Sequence, residues 1–94
     1  MSAGEIRHVL VIGAGTMGTQ IAVQCAAHGF EVALHDTAPA AVADAPRRLA
    51  AAADEMIASG FLDTDARSAT LARIAVEGDL AAAASRADLV SESI

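Results

Sequence analysis

Ninety-four residues make at most one small domain, and the 54% apolar content is dominated by alanine, with Phe30 and Phe61 as the two aromatic side chains. Such a core is thin, because a small chain buries the smaller share of its surface and alanine adds little apolar area. A net charge of −6 argues against nucleic acid, which wants a basic face, and no run is long and apolar enough to span a bilayer.

Met1 to His8 includes Glu5, Arg7 and His8 and shows no signal-peptide pattern. The single cysteine, Cys25, cannot close an internal disulfide, and a reducing cytoplasm is the expected location. His8-Val9-Leu10-Val11-Ile12 is short and β-branched, as expected of a parallel strand buried on both faces. Met17, Ile21, Ala22, Cys25 and Ala26 recur at helical spacing. Gly29 follows where a helix takes its left-handed cap, so a helix is predicted from about Thr16 to His28. Cys25 falls on the apolar face of that helix and reads as a small core residue.

Between this strand and helix lies Gly13-Ala14-Gly15-Thr16-Met17-Gly18, and a second apolar run, Val32-Ala33-Leu34, leads to His35 and Asp36. The order of strand, glycine turn, helix, strand and acid is the dinucleotide-binding fingerprint of a Rossmann βαβ unit. Gly13 suits a turn that few residues can adopt, Gly15 a close approach of backbone to pyrophosphate, and Gly18 the packing of helix on strand. The first turn of the helix offers free N–H groups and about half a positive charge to an anion. Asp36 is placed to accept hydrogen bonds from the ribose hydroxyls and would repel a 2′-phosphate. With no Arg or Lys among residues 37–41, NAD is favoured over NADP. FAD shares the fingerprint and stays open. The competing role for Asp36 is N-cap of a helix opening at Pro39.

From Pro39 to Ser59, Val42, Leu49, Ala53, Met56 and Ile57 give a helical period ended by Gly60. Pro46 interrupts it, which predicts either a kink or a helix restarting with Asp44 as cap. Asp63 or Thr64 should cap a shorter helix through about Leu71 or Ala72. A simple crossover needs about a dozen residues, and the stretch from Thr37 to Arg73 is far longer, so a helical hairpin projecting from the sheet is expected. Ile74-Ala75-Val76 reads as a third strand, Asp79 as the cap of a helix from Leu80 to Arg86, and Asp88 to Ser93 as a fourth strand. Right-handed crossovers then give an α/β fold with a Rossmann-type parallel sheet of order 3-2-1-4. Leu89, Val90 and Ile94 would sit at an open edge and favour association.

Val11-Ile12-Gly13-Ala14-Gly15-Thr16-Met17-Gly18, Ile21-Ala22, Gly29-Phe30-Glu31-Val32 leading to Asp36, Gly60-Phe61-Leu62, Leu71-Ala72-Arg73-Ile74, Asp79-Leu80, and Ala87-Asp88-Leu89-Val90 before Glu92 carry a resemblance along the whole chain. It is similar to the N-terminal NAD-binding part of L-3-hydroxyacyl-CoA dehydrogenases. The resemblance implies NAD held by Gly13, Ala14, Gly15, Thr16, Met17, Gly18 and Asp36, and a small-molecule substrate of the acyl-CoA class. It also implies a homo-oligomeric full-length protein, with residues 1–94 as the first part of its Rossmann domain. Catalysis in such enzymes uses a His, oriented by a Glu, from an H-F-x-N-P type motif, which this sequence does not contain. No catalytic or metal-binding residue is therefore expected here, and the chain is expected to be a fragment ending after the fourth strand.

His8, His28 and His35 read as structural or solvent-facing. Ser91-Glu92-Ser93 departs from the acyl-CoA pattern and is similar to relatives acting on carnitine or sugar acids. Arg47 and Arg48 are the cations that could meet CoA phosphates, with a solvated helix face as their plainer role. A related NAD-dependent dehydrogenase of a hydroxy acid, carnitine or carrier-bound acyl chain, and a non-enzymatic dinucleotide-binding module, are the two alternatives.

Overall fold

The computed structural model describes residues 6–92. His8–Ile12 forms β1, Glu31–His35 β2, Ile74–Val76 β3 and Leu89–Glu92 β4, and all four are parallel in the order β3-β2-β1-β4. The sheet therefore has the expected 3-2-1-4 order. Parallel strands need crossovers, and here they are helices: α1 (Thr16–Ala27), α2 (Pro39–Ala58), a 3-10 turn (Thr64–Ala66), α3 (Arg67–Ala72) and α4 (Leu80–Arg86).

Alternation along each strand divides the sheet into two faces. Val9, Val11, Val32 and Leu34 join Ala22, Val23 and Ala26 of α1 and Ala45, Leu49, Ala52 and Ala53 of α2 in the main core, with Ile74 and Val76 partly buried beside them. The alanines explain the composition: small side chains at this contact let two helices pack over one short sheet. On the other face Leu10, in register with Ala33 and Val90, is 1% exposed, and α4 buries Ala83 there. The chain passes from one face to the other on leaving β3, so β4 joins β1 and the strand order reverses between β1 and β4, at whose C-terminal ends such sheets bind ligands.

The first helix ends one residue before the expected His28, which serves as its C-cap. Gly29 at φ 96° donates its N–H to the Ala26 carbonyl at 3.0 Å. The second helix runs unbroken through Pro46 and does not restart. Asp44 is no cap there: its carboxylate accepts hydrogen bonds from Arg47 and Arg48 at 2.8 Å. Burial of Ala45, Leu49, Ala52 and Ala53 against α1 outweighs the one backbone hydrogen bond that an exposed proline removes. Gly60 at φ 82° stops this helix.

The insert between β2 and β3 is helical, as expected. Its first half lies on α1, and its far end carries Phe61 at 77% exposure. Asp63 stands at the start of the 3-10 turn but makes no side-chain capping bond, because the segment opens as a 3-10 turn rather than an α-helix. Asp79 does cap, accepting the Ala82 N–H at 3.2 Å. Leu89 and Val90 are about half exposed on β4. Ser93 and Ile94, expected at the end of that strand, lie outside the described residues. Pro46→Ala should stabilise the chain by roughly 1–3 kcal/mol through the restored hydrogen bond, read as a higher denaturant midpoint at unchanged slope; an unchanged or lower midpoint would mean that the proline ring itself contributes packing.

Candidate functional site

At the end of β1 the chain turns sharply. Gly13, at φ 111°, leaves the strand in a backbone region that side chains disfavour and donates its N–H to the His35 carbonyl at 2.7 Å. Ala14 is buried, and its N–H donates to Asp36 Oδ2 at 2.8 Å. Gly15 then starts α1 at φ −79°, with no side chain capping the helix. A Cβ built on Gly15 would meet nothing within 4 Å. Neither backbone nor packing demands glycine at that position, so the bare Cα leaves open space over the helix N-terminus.

The first turn of α1 contains no acidic residue. Its free N–H groups and dipole are therefore uncompensated by a carboxylate of the helix, an arrangement that favours an anion. Thr16 and Met17 are exposed on this turn and Gly18 is buried under it. Thr19 has no place in the glycine motif, yet it is buried, with its hydroxyl 2.9 Å from the Gly15 carbonyl and 3.0 Å from that of Thr16. It tightens the turn from behind. The available signal was a polar residue on an otherwise apolar helix face.

Asp36 faces the glycine loop from the end of β2. Its Oδ2 accepts from Ala14, and its Oδ1 accepts the Ala38 N–H at 2.8 Å. The Ala14 hydrogen bond first, and the Ala38 bond second, hold this carboxyl below the usual range, against the opposing effect of burial. The Ala38 bond is an Asx-type turn leading into α2, whose cap position is Ala38. Asp36 thus prepares the helix start and binds the loop with the same group. A carboxylate has about four acceptor positions, and these two bonds leave capacity for further donors. Arg47 and Arg48 both turn to Asp44.

The other titratable groups fall elsewhere. Asp88 accepts the Arg7 and His8 amides at 2.9 and 3.0 Å at the opposite end of the sheet, and His8 Nδ1 lies 3.7 Å from it. His28 Nδ1 is 2.8 Å from the Gln24 carbonyl at the end of α1. His35 is buried, with Nδ1 2.8 Å from the Glu77 carbonyl. Cys25 is half-buried, and burial pushes its thiol up, which suits a core residue and not a nucleophile. Glu92 is exposed at the end of β4 beside Ile12.

A parallel sheet of this order, a glycine turn opening onto a helix N-terminus and an acid at the end of the second strand define a Rossmann-type dinucleotide-binding domain. The chain belongs to the family of the 3-hydroxyacyl-CoA dehydrogenase NAD binding domain, whose model matches residues 8–94. It is 36% identical over 89 residues to 5-formyl-3-hydroxy-2-methylpyridine 4-carboxylate 5-dehydrogenase of Mesorhizobium japonicum, covering 95% of this chain and 28% of that protein. The match to 3-hydroxyadipyl-CoA dehydrogenase of Escherichia coli is also 36% over 89 residues, covering 95% of this chain and 18% of the relative. Among solved structures, (S)-3-hydroxybutyryl-CoA dehydrogenase from Ralstonia eutropha superposes with a TM-score of 0.78 at 34% identity, over 95% of this chain and 31% of that one. The chain thus spans less than a third of the length of each of these relatives, and NAD is the cofactor the family indicates.

A carboxyl whose folded pKa is depressed contributes stability above its unfolded value of about 3.9, and that stability is lost as pH falls through the folded value. The Ala14 and Ala38 amide proton resonances should therefore titrate together with one midpoint below about 3.9. Separate midpoints in an NMR pH series, or a shared one above that value, would show that one carboxylate does not hold both amides.

Proposed function

We propose that residues 1–94 are the adenosine- and pyrophosphate-binding part of a longer NAD-dependent oxidoreductase, one that oxidises the 3-hydroxyl of a 3-hydroxyacyl-CoA to the ketone. The observation that carries the assignment is the Asp36 carboxylate, fixed by the Ala14 amide of the glycine loop and still able to accept hydrogen bonds. When bound, NAD supplies the hydride-accepting nicotinamide carbon.

The chain's own contribution is to bind and orient. Gly13 turns the backbone, Ala14 aims Asp36, and the open space over Gly15 admits a pyrophosphate against the N–H groups of the turn carrying Thr16 and Met17. Gly18 keeps α1 close to the sheet, and Asp36 receives the two ribose hydroxyls. A 2′-phosphate would meet a negative charge at that point, which favours NAD over NADP.

His28 and His35 are held by backbone carbonyls and His8 lies at the far end of the sheet, so the general base is assigned to the remainder of the longer protein. A cytoplasmic homo-oligomer is the proposed form of that protein, acting on a small molecule and on neither nucleic acid nor membrane. The half-exposed Leu89 and Val90 support an assembly role for the β4 edge. A second reading has a specific support. Arg47 and Arg48 are both occupied by Asp44 and offer no uncommitted cation to CoA phosphates, and the Mesorhizobium japonicum relative is named for a free carboxylate substrate. On that reading the substrate is a hydroxy acid and not a thioester, and turnover of acetoacetyl-CoA by the full-length protein would argue against it.

Calorimetric titration with NAD, NADP and FAD in parallel tests the cofactor assignment, with the tightest binding expected for NAD and a weaker, measurable one for NADP. Asp36→Ala should weaken NAD roughly 10- to 100-fold, the equivalent of losing charge-assisted hydrogen bonds, and change NADP much less; an unaltered preference would mean that the ribose contact is misassigned. Gly15→Ala should fold with an unchanged circular dichroism spectrum yet lose NAD affinity by about tenfold or more. Retained affinity would place the pyrophosphate elsewhere. The 94 residues alone should show no dehydrogenase turnover, because hydride acceptor, base and substrate are not brought together.

A further inference from the structure

We propose that His35 is the positioning residue for Asp36, and through it for the preference of NAD over NADP. The inference rests on the reading that Asp36 receives the ribose. The backbone ladder between β2 and β3 runs out one residue too early to hold the acid: Leu34 is paired with Val76, the last residue of β3, and the Glu77 N–H donates to the Leu34 carbonyl at 2.8 Å. His35 has no residue of β3 opposite it.

Its side chain takes over that step. The imidazole is buried, 6% exposed, and its Nδ1 lies 2.8 Å from the Glu77 carbonyl, so Nδ1 carries the proton and donates. On the opposite side the His35 carbonyl accepts the Gly13 N–H at 2.7 Å. The last residue before Asp36 is therefore held from both neighbours, by the glycine loop after β1 and by the segment after β3. Glu77 is anchored in turn, because its side chain accepts the Asp79 N–H and pairs with Arg86 of α4.

A strand end held on one side alone can pivot, and its next side chain sweeps a wider arc. Held on both sides, it delivers the Asp36 carboxylate to the Ala14 amide in one geometry. A ligand contact of this kind depends on support from the residues behind it, since small displacements cost much of the interaction. An apolar residue of similar size fills the space at position 35 without a donor. Asparagine provides an N–H near the position of Nδ1.

The test compares His35→Leu with His35→Asn in the 94-residue chain, with two readouts. Amide exchange at Ala14, taken relative to Val11 in the sheet core, reports the carboxylate contact with no ligand present. The ratio of NAD to NADP affinity reports its use. His35→Leu should lower Ala14 protection and the NAD to NADP ratio by about three- to tenfold, the worth of one hydrogen bond, with Val11 unchanged, and His35→Asn should restore most of both. Wild-type values of both in a folded His35→Leu chain would overturn the proposal, as would equal loss of protection at Ala14 and Val11. If Ala14 responds as expected while wild type binds neither dinucleotide, the positioning of Asp36 stands and its role toward ribose falls.

Discussion

The Asp36 carboxylate holds the C-terminal edge of this sheet together. One oxygen takes the Ala14 amide of the loop after β1, and the other takes the Ala38 amide at the start of α2. Without that bridge the glycine loop and the first turn of α2 would have no polar link of this kind between them. The buried Ala14 amide would then need another acceptor, at about 1–3 kcal/mol if left unsatisfied, whereas the exposed Ala38 amide would turn to water. Because the bridging group is itself charged, the same carboxylate that closes the fold keeps acceptor capacity for further donors. Acid that protonates this carboxylate loosens both contacts.

That economy fits a domain with so little core. The main cluster is built from Val9, Val11, Val32, Leu34, Leu49 and Leu62 and a set of buried alanines, with no aromatic side chain fully inside. Alanine contributes closeness rather than area: Ala22, Ala26, Ala52 and Ala53 allow α1 and α2 to lie side by side over three short strands. Polar links at the ends of the elements supplement the modest apolar burial. Asp88 ties the start of β1, Arg73 donates to the Ala26 carbonyl at the end of α1, and Thr19 braces the first turn of the same helix. Among the described residues α4 covers the second face, and the β4 edge is left half exposed.

Local chemistry made much of this legible in the residues themselves. The β-branched run before Gly13, the glycine spacing and the acid after the second strand are each dictated within a few residues by backbone sterics and helix periodicity, so strand order, crossover type and the identity of the loop followed directly. Asp79 as a cap and Gly29 and Gly60 as helix stops were readable for the same reason. The continuity of α2 through Pro46, the ion pairs of Asp44 and the lack of a side-chain capping bond at Asp63 were not. The alternative of a restart at Asp44 weighed a proline against its own helix, whereas the continuous helix depended on Ala45, Leu49 and Ala53 being buried by α1, a partner distant in sequence. Asp44 was then free to meet Arg47 and Arg48 on the helix surface.

What the sequence alone determined is the family of shapes and the cofactor class: a parallel sheet in the order 3-2-1-4, a glycine turn onto a helix N-terminus, and a carboxylate at the end of the second strand. Those follow from spacing and side-chain chemistry that act over a single turn or strand. Only the tertiary structure decided which roles fell to ambiguous groups. It brought Asp36 to both Ala14 and Ala38, made His35 a buried link to Glu77, and drew Thr19 behind the loop. Each of the contacts to Ala14 and Glu77 joins residues more than twenty positions apart, and such contacts exist only once strands have paired and helices have settled on them.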